Sequence, residues 1–368
     1  MKTIYFFAKV GDLNTYPYGG GEVGNRRTMN LFKELGYNIT LIPRYCCYKP
    51  KNFVVYTEMI LGDFIALICM FFKLLFGYRK NSIVHISGFT GAYMIYEMLA
   101  ILTAKLLGYK VVYEIRGGGI IGFFISGNFI YQNCFRLSIK MSECIFSQGL
   151  ENKTLIEKYG PNKFFYYPNY VNHDFIGQHC PPKSSESYKL VYLGRITPPK
   201  NISLVIKCFE KVKKYYPNST LDLIGDGEDY PSYVKEIKEY IKRNLSDCCV
   251  YHGKKNKNEI IDILKKMTFL IFPSNEKREG QSNSITEAMS LGVIPIASPQ
   301  GYSRSIINAD ELIIEELDAD EYAHRIIKII NENKINYFSK LMYDRIKENY
   351  TYDKIKKNVS DKIIDLFK

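Results

Sequence analysis

The chain has 368 residues, 46% of them hydrophobic and 24% charged, and a formal net charge of +12. Its length suits two domains of ordinary size, each able to bury its own core, and its composition is that of a soluble globular protein rather than a fibrous or disordered one. The positive excess favours an anionic partner: nucleotide phosphates, nucleic acid or an acidic membrane surface.

Residues 1–8 run into polar sequence too soon for a signal peptide and read as a first strand. Further strands are predicted at 38–42, 82–86, 110–114, 144–147 and 164–167, with helices at 24–35, 63–76, 91–107, 129–141 and 150–159. Segment 64–77 is the most apolar run. Interrupted by Lys73 and shorter than the roughly 20 residues that a span needs, it reads as a buried helix. The sharper alternative is a monotopic membrane contact, with Lys73, Arg79 and Lys80 near lipid headgroups. The polar segment 178–187 reads as a linker. Alternation then restarts, with strands at 189–193, 220–224, 250–252, 269–272, 293–297 and 312–314. Helices are predicted at 202–215, 230–244, 257–267, 285–291 and 319–331, and the tail 337–367 is helical with a break near Tyr350-Thr351.

Such alternation predicts α/β architecture with parallel sheets. The economical arrangement is two Rossmann-like domains whose sheets face a central cleft: 1–177, a linker at 178–187, and 188–350. A helix at 351–368 would reach back to the first domain. Nine cysteines, with adjacent pairs at Cys46-Cys47 and Cys248-Cys249 but no C-x-x-C, suit reduced thiols in the cytosol.

Ligands of open α/β sheets bind at the carboxyl ends of the strands. The first such end carries Gly19-Gly20-Gly21-Glu22-Val23-Gly24 before a helix, where glycines let backbone approach a phosphate. In the second half, a strand ends at Gly194, and Arg195 and Lys200 follow. An arginine fork and a lysine point charge suit a diphosphate. Gly225-Asp226-Gly227 makes another glycine-rich strand end. After strand 269–272 comes Glu279-Gly280-Gln281-Ser282-Asn283-Ser284, then Glu287. Ser284-x-x-Glu287 reads as a capping box, with Ile285, Ala288 and Met289 facing inward and Gly292 just past the helix end. Asp318-Ala319-Asp320 superficially resembles a metal clamp, but it stands before a helix and is expected to cap it, so no metal is assigned. A lone His252 is expected to be structural.

Gly194-Arg195, Lys200-Asn201, Gly225-Asp226-Gly227 and Glu279-x7-Glu287, in this order and spacing, resemble the retaining glycosyltransferases of family 4. Pro168-Asn169-Tyr170-Val171 resembles the same family's P-N-G-V segment. The resemblance implies a GT-B fold, a nucleotide-diphosphate sugar as donor substrate, retention of anomeric configuration, and neither metal nor cofactor. Arg195 and Lys200 would hold the donor diphosphate, Glu279 would contact the sugar hydroxyls and Glu287 the ribose. Gly20 and Gly21 would lie near the phosphates, and Gly280 to Ser284 would complete the donor site. Three features depart from the pattern. Arg116 stands where many members carry a histidine, and as a catalytic candidate it would reach a phosphate or sugar oxygen. Tyr170 replaces a glycine, and the acidic residue often seen near Gly301-Tyr302-Ser303 is missing.

The leading expectation is a cytoplasmic, metal-independent transferase, peripheral on the inner face of the plasma membrane. Its acceptor would be a glycan or a lipid-linked sugar in surface polysaccharide synthesis. The apolar segment 119–127 is a candidate acceptor contact. A nucleotide-sugar epimerase of the same fold is the alternative, followed by a non-enzymatic basic module binding a membrane or other anion. No nucleic-acid motif is present, and no nucleic-acid partner is expected.

Overall fold

The computed structural model describes residues 2–15, 17, 19–44, 53–88, 91, 93–176 and 187–368. The linker predicted at 178–187 falls outside the described residues apart from Ser187, as do Tyr18, Cys46-Cys47, His179 and Cys180. The described chain forms two compact units, one of residues 1–168 with 356–368, the other of residues 169–355.

The N-terminal unit is a six-stranded parallel sheet of order β2-β1-β3-β4-β5-β6. Its strands are β1 Thr3–Ala8, β2 Asn38–Pro43, β3 Ser82–Gly88, β4 Lys110–Ile115, β5 Cys144–Ser147 and β6 Phe164–Tyr166. β3 is buried along its whole length. Near-continuous apolar strands are the consequence of a parallel sheet covered on both faces. Ala66, Met70 and Leu74 of the helix Phe53–Leu75 join Phe7, Val84 and Ile86 in the core. That helix starts ten residues before the predicted 63, because the segment ahead of Asp63 lacks any Pro or Gly stop beyond the tolerated Gly62. The apolar segment 119–127 contains a helix, Ile120–Ser126. Phe367, after the helix Tyr352–Leu366, stacks on Tyr37 with ring centroids 5.4 Å apart, and Lys356 pairs with Glu34.

The C-terminal unit is a five-stranded parallel sheet of order β11-β10-β7-β8-β9. Here β7 is Lys189–Leu193, β8 Thr220–Ile224, β9 Cys249–Gly253, β10 Phe269–Phe272 and β11 Ile294–Ala297. The predicted sixth strand at 312–314 is a single bridge between Ile313 and Ala297, following a 3-10 turn Asp310–Leu312. Three consecutive turn-bound residues leave too little extended chain to form a ladder. The tail breaks as predicted: helices Ile335–Asn349 and Tyr352–Leu366 flank Thr351, which bridges to Val171.

Sheet order fixes where a ligand crevice opens. The chain runs β7, β8, β9 in one direction and then crosses to β10 on the other side of β7. Loops leaving β7 and β10 therefore diverge in opposite directions. Such a switch point is where open α/β sheets take their ligands. The loops concerned hold Arg195–Lys200 and Ser274–Ser282.

Candidate active site

Lys200 lies in the 3-10 turn Pro198–Lys200 that follows β7. Two prolines fix the backbone of that turn, and Asn201 closes it in the left-handed region at φ 53°. The turn is tied to the β10 loop by Asn201 Nδ2 donating to Pro273 O at 2.9 Å and Asn275 N to Pro199 O at 2.7 Å. These bonds carry the Lys200 ammonium into the switch-point crevice. There it forms an ion pair with Glu279, reaches Ser274 Oγ at 3.4 Å, and lies 5.0 Å from the ring centroid of Phe272. Ser274 Oγ donates to Glu279 Oε2 at 3.0 Å. The side chains of Lys200 and Glu279 are only 7% and 15% exposed. A charge pair this dry is costly to form from separated, hydrated ions and persists because each ion compensates the other. Residues 79 apart in sequence are thus brought into direct contact.

Arg195 is placed differently. Its side chain is exposed, while its carbonyl accepts a hydrogen bond of 2.7 Å from Tyr192 Oη. Burial pushes the Tyr192 phenol well above its ordinary range, and the Glu279 charge adds to the shift against the opposing effect of Arg195. Around the site the strand ends are packed tightly. At Gly225, φ is 135°, and a Cβ would run into the Gly194 carbonyl. At Gly301, φ is 68°, and a Cβ would meet the Gly280 and Glu279 carbonyls. Both positions require glycine for the protein's own packing. Asp226 Oδ1 accepts from Gly227 N at 2.7 Å and from Tyr251 Oη at 3.4 Å, and burial together with the Asp226 charge raises the Tyr251 phenol to about 12.

The capping box is not formed. The helix spans Asn283–Met289, its N-cap is Ser282, and no side chain caps it. Ser284 is the second helical residue, so Glu287 stands beyond the reach of a box that closes at the third. Thr286 Oγ1 instead donates to Ser282 O at 2.8 Å. Glu287 is half-buried. The inward face of Ile285, Ala288 and Met289 and the left-handed Gly292 are as expected. Gln281 and Asn283 are engaged with Asn169: its backbone N donates to Gln281 Oε1 at 2.5 Å, Gln281 Nε2 donates to its carbonyl at 3.0 Å, and its Nδ2 donates to Asn283 Oδ1 at 3.1 Å.

The remaining candidates belong to the N-terminal unit. Gly20 opens the helix Gly20–Glu34, so Gly20 and Gly21 form its first turn rather than the predicted loop, and a Cβ on Gly20 would meet nothing within 4 Å beyond its chain neighbours and the helix's own backbone. No side chain caps that helix start. Arg116 is buried, with its guanidinium on Glu114 Oε1 at 2.6 Å and on Thr28 Oγ1. Glu114 also bonds His85 Nε2 at 2.7 Å. Asp318 caps its helix by accepting from Asp320 N at 2.7 Å and Glu321 N at 3.2 Å, as expected, and His252 is held by Asp222 at 2.5 Å. Among the described residues no group of three or more His, Cys, Asp and Glu could hold a metal ion. Sequence reasoning missed Ser274, which stands in the turn Pro273-Ser274-Asn275. A serine just after a strand end, five residues before Glu279, was the available signal.

Residues 155–350, more than half of the chain, match the model of the family "Glycosyl transferases group 1". The chain belongs to the group 1 glycosyltransferases. Among relatives of this family, one subunit of the phosphatidylinositol N-acetylglucosaminyltransferase of Arabidopsis thaliana is 25% identical over 262 residues, which cover 70% of this chain and 57% of the relative. The chain thus spans little more than half the length of that relative. Two solved structures share the fold. Sucrose-phosphate synthase of Thermosynechococcus elongatus superposes with a TM-score of 0.74 at 14% identity, covering 100% of this chain and 99% of that one. The Anabaena protein HepE in complex with UDP gives 0.69 at 12% identity, covering 99% and 100%. Two parallel α/β sheets of GT-B type are common to all three.

Proposed function

We propose that this family member transfers a sugar from a nucleotide-diphosphate donor to a glycan or lipid-linked acceptor, with retention of anomeric configuration and without a metal. The observation that carries this reading is the Lys200–Glu279 pair, dry and hydrogen-bonded to Ser274 at the switch point of the C-terminal sheet. A diphosphate entering there offers Lys200 a second anion, and Glu279 is released toward sugar hydroxyls. Exposed Arg195 closes over the same phosphates as a fork. The leaving diphosphate gains charge as the bond from the anomeric carbon to phosphate oxygen breaks, and preorganised cations in a dry site stabilise that charge. The acceptor oxygen then bonds the anomeric carbon from the same face, and its proton passes to the departing phosphate oxygen. Glu287 holds the ribose.

The name of the Arabidopsis relative supports an amino sugar and a lipid acceptor, and the UDP-bound Anabaena structure supports uridine as the base. The test is incubation with UDP-N-acetylglucosamine and a panel of glycolipid acceptors, with the product's anomeric configuration read by NMR. Retained configuration together with release of UDP is expected. An inverted product overturns the mechanism. Free epimerised donor without acceptor would instead assign the alternative, an epimerase.

A further inference from the structure

The helix Phe53–Leu75 carries two apolar stripes instead of one. Ala66, Met70 and Leu74, at fourfold spacing, face the sheet and are buried. Leu61, Phe64, Ile65, Ile68, Phe72 and Phe76 form a second stripe on its outward side, with exposures from 41% to 82%. From 59 to 72 the only charged residue is Asp63, which is 7% exposed and so does not interrupt the outward face. A helix apolar all round belongs in a core or in lipid, yet this one stands at the surface. The neighbouring helix Tyr93–Leu106, tied to it by Tyr96 Oη donating to Asp63 O at 2.8 Å, extends the surface with Ile95 and Leu99 at 46% and 40% exposure. Contiguous apolar surface of this kind marks an interaction site.

We infer that this face is a docking surface for an anionic lipid bilayer, in which the helix lies along the membrane plane. The inference concerns the N-terminal unit alone and goes beyond the transfer reaction. Its chemistry selects lipid over protein in three ways. Over these four helical turns the outward face has no charged side chain and only the weak thiol of Cys69 to set register, whereas a protein interface carries about one hydrogen bond per 100–200 Å². The cations are at the rim: Lys73, Arg79 and Lys80 are all exposed and close one end, complementary to acidic headgroups. Tyr56 and Tyr78, 47% and 65% exposed, flank the stripe at its two ends, where amphipathic rings suit a membrane interface. Among the described residues no helix is long and apolar enough to cross a membrane. The geometry is therefore that of an interfacial helix, its apolar side entering the acyl boundary by about 5–10 Å.

The chain contains no tryptophan, so a single introduced indole reports one place. Phe72→Trp in the full chain, mixed with phosphatidylglycerol-containing vesicles, is expected to shift its emission to the blue and be quenched by lipids brominated along the acyl chain. Tyr215→Trp, on an exposed site of the C-terminal unit, is expected to stay unchanged. Phe64→Asp should weaken vesicle flotation by about tenfold or more, the factor that burial of one phenylalanine represents. The triple change Lys73→Gln, Arg79→Gln, Lys80→Gln should weaken it by about fivefold per cation, and only for anionic vesicles. Because Phe64 is exposed, thermal melting of Phe64→Asp should match the parent. Absence of a blue shift with every vesicle overturns the inference. So does a chain that is dimeric in solution and becomes monomeric on Phe64→Asp without ever binding lipid, which would assign the face to a second copy.

Discussion

Each unit places a cation and a carboxylate at the ends of its strands, and the two pairs differ in what surrounds them. In the N-terminal unit Arg116 meets Glu114, with side chains 4% and 0% exposed, and Glu114 is shared with fully buried His85. In the C-terminal unit Lys200 meets Glu279 at 7% and 15% exposure, beside a hydroxyl and at a switch point where loops diverge. The first pair is enclosed by a strand neighbour, a helix threonine and an aromatic shell in which Phe6 stacks on His85 at 5.1 Å. The second retains a solvent-facing edge through which a ligand can compete for the cation. Burial alone therefore separates the two pairs little. On the proposed reading, access to a second anion is what lets the Lys200–Glu279 pair take part in transfer.

The contrast predicts opposite consequences for removing one partner. Glu114→Gln leaves Arg116 buried without its counter-charge and should destabilise the chain by about 3–5 kcal/mol, measured by denaturant unfolding. Lys200→Ala should lower turnover by about 10²–10³, or roughly 3–4 kcal/mol of transition-state stabilisation, with the larger change in kcat. Equal melting of Glu114→Gln and the parent would break the distinction. Smaller effects sharpen it. Gly225→Ala forces a side chain into the Gly194 carbonyl at a left-handed φ and should cost about 1–3 kcal/mol of stability, read as a lower Tm that saturating UDP does not fully restore. Asp318→Ala, at a helix start that belongs to neither pair, removes a cap from two backbone N–H groups and should cost about 1 kcal/mol with turnover unchanged.

Much of this arrangement was legible in the residues. Apolar runs placed the eleven strands of the described residues within about two residues and overpredicted one at 312–314, because a parallel sheet covered on both faces writes itself as Val, Ile, Leu and Phe. The break at Tyr350-Thr351 was equally plain. Helix starts were not. Gly20 and Asn283 begin helices where local propensity favours a loop, since tertiary packing overrides weak intrinsic preference. The Ser284-x-x-Glu287 pattern met every sequence criterion for a capping box, yet Ser282 occupies the cap two residues earlier. That Lys200 and Glu279 both follow strand ends was legible, but their direct ion pair and its dryness were not. That property depends on Ser274, Phe272 and a turn fastened through Asn275, none of which belongs to a motif.

On the proposed reading, Lys200 exchanges Glu279 for the donor diphosphate. Calorimetric titration of UDP into the parent, Lys200→Ala and Arg116→Lys chains tests it most directly. Binding to the parent and to Arg116→Lys with similar affinity is expected, with a loss of about tenfold or more for Lys200→Ala, the worth of one charge-assisted contact at roughly 1.5–3 kcal/mol. Equal UDP affinity in the parent and Lys200→Ala would contradict it.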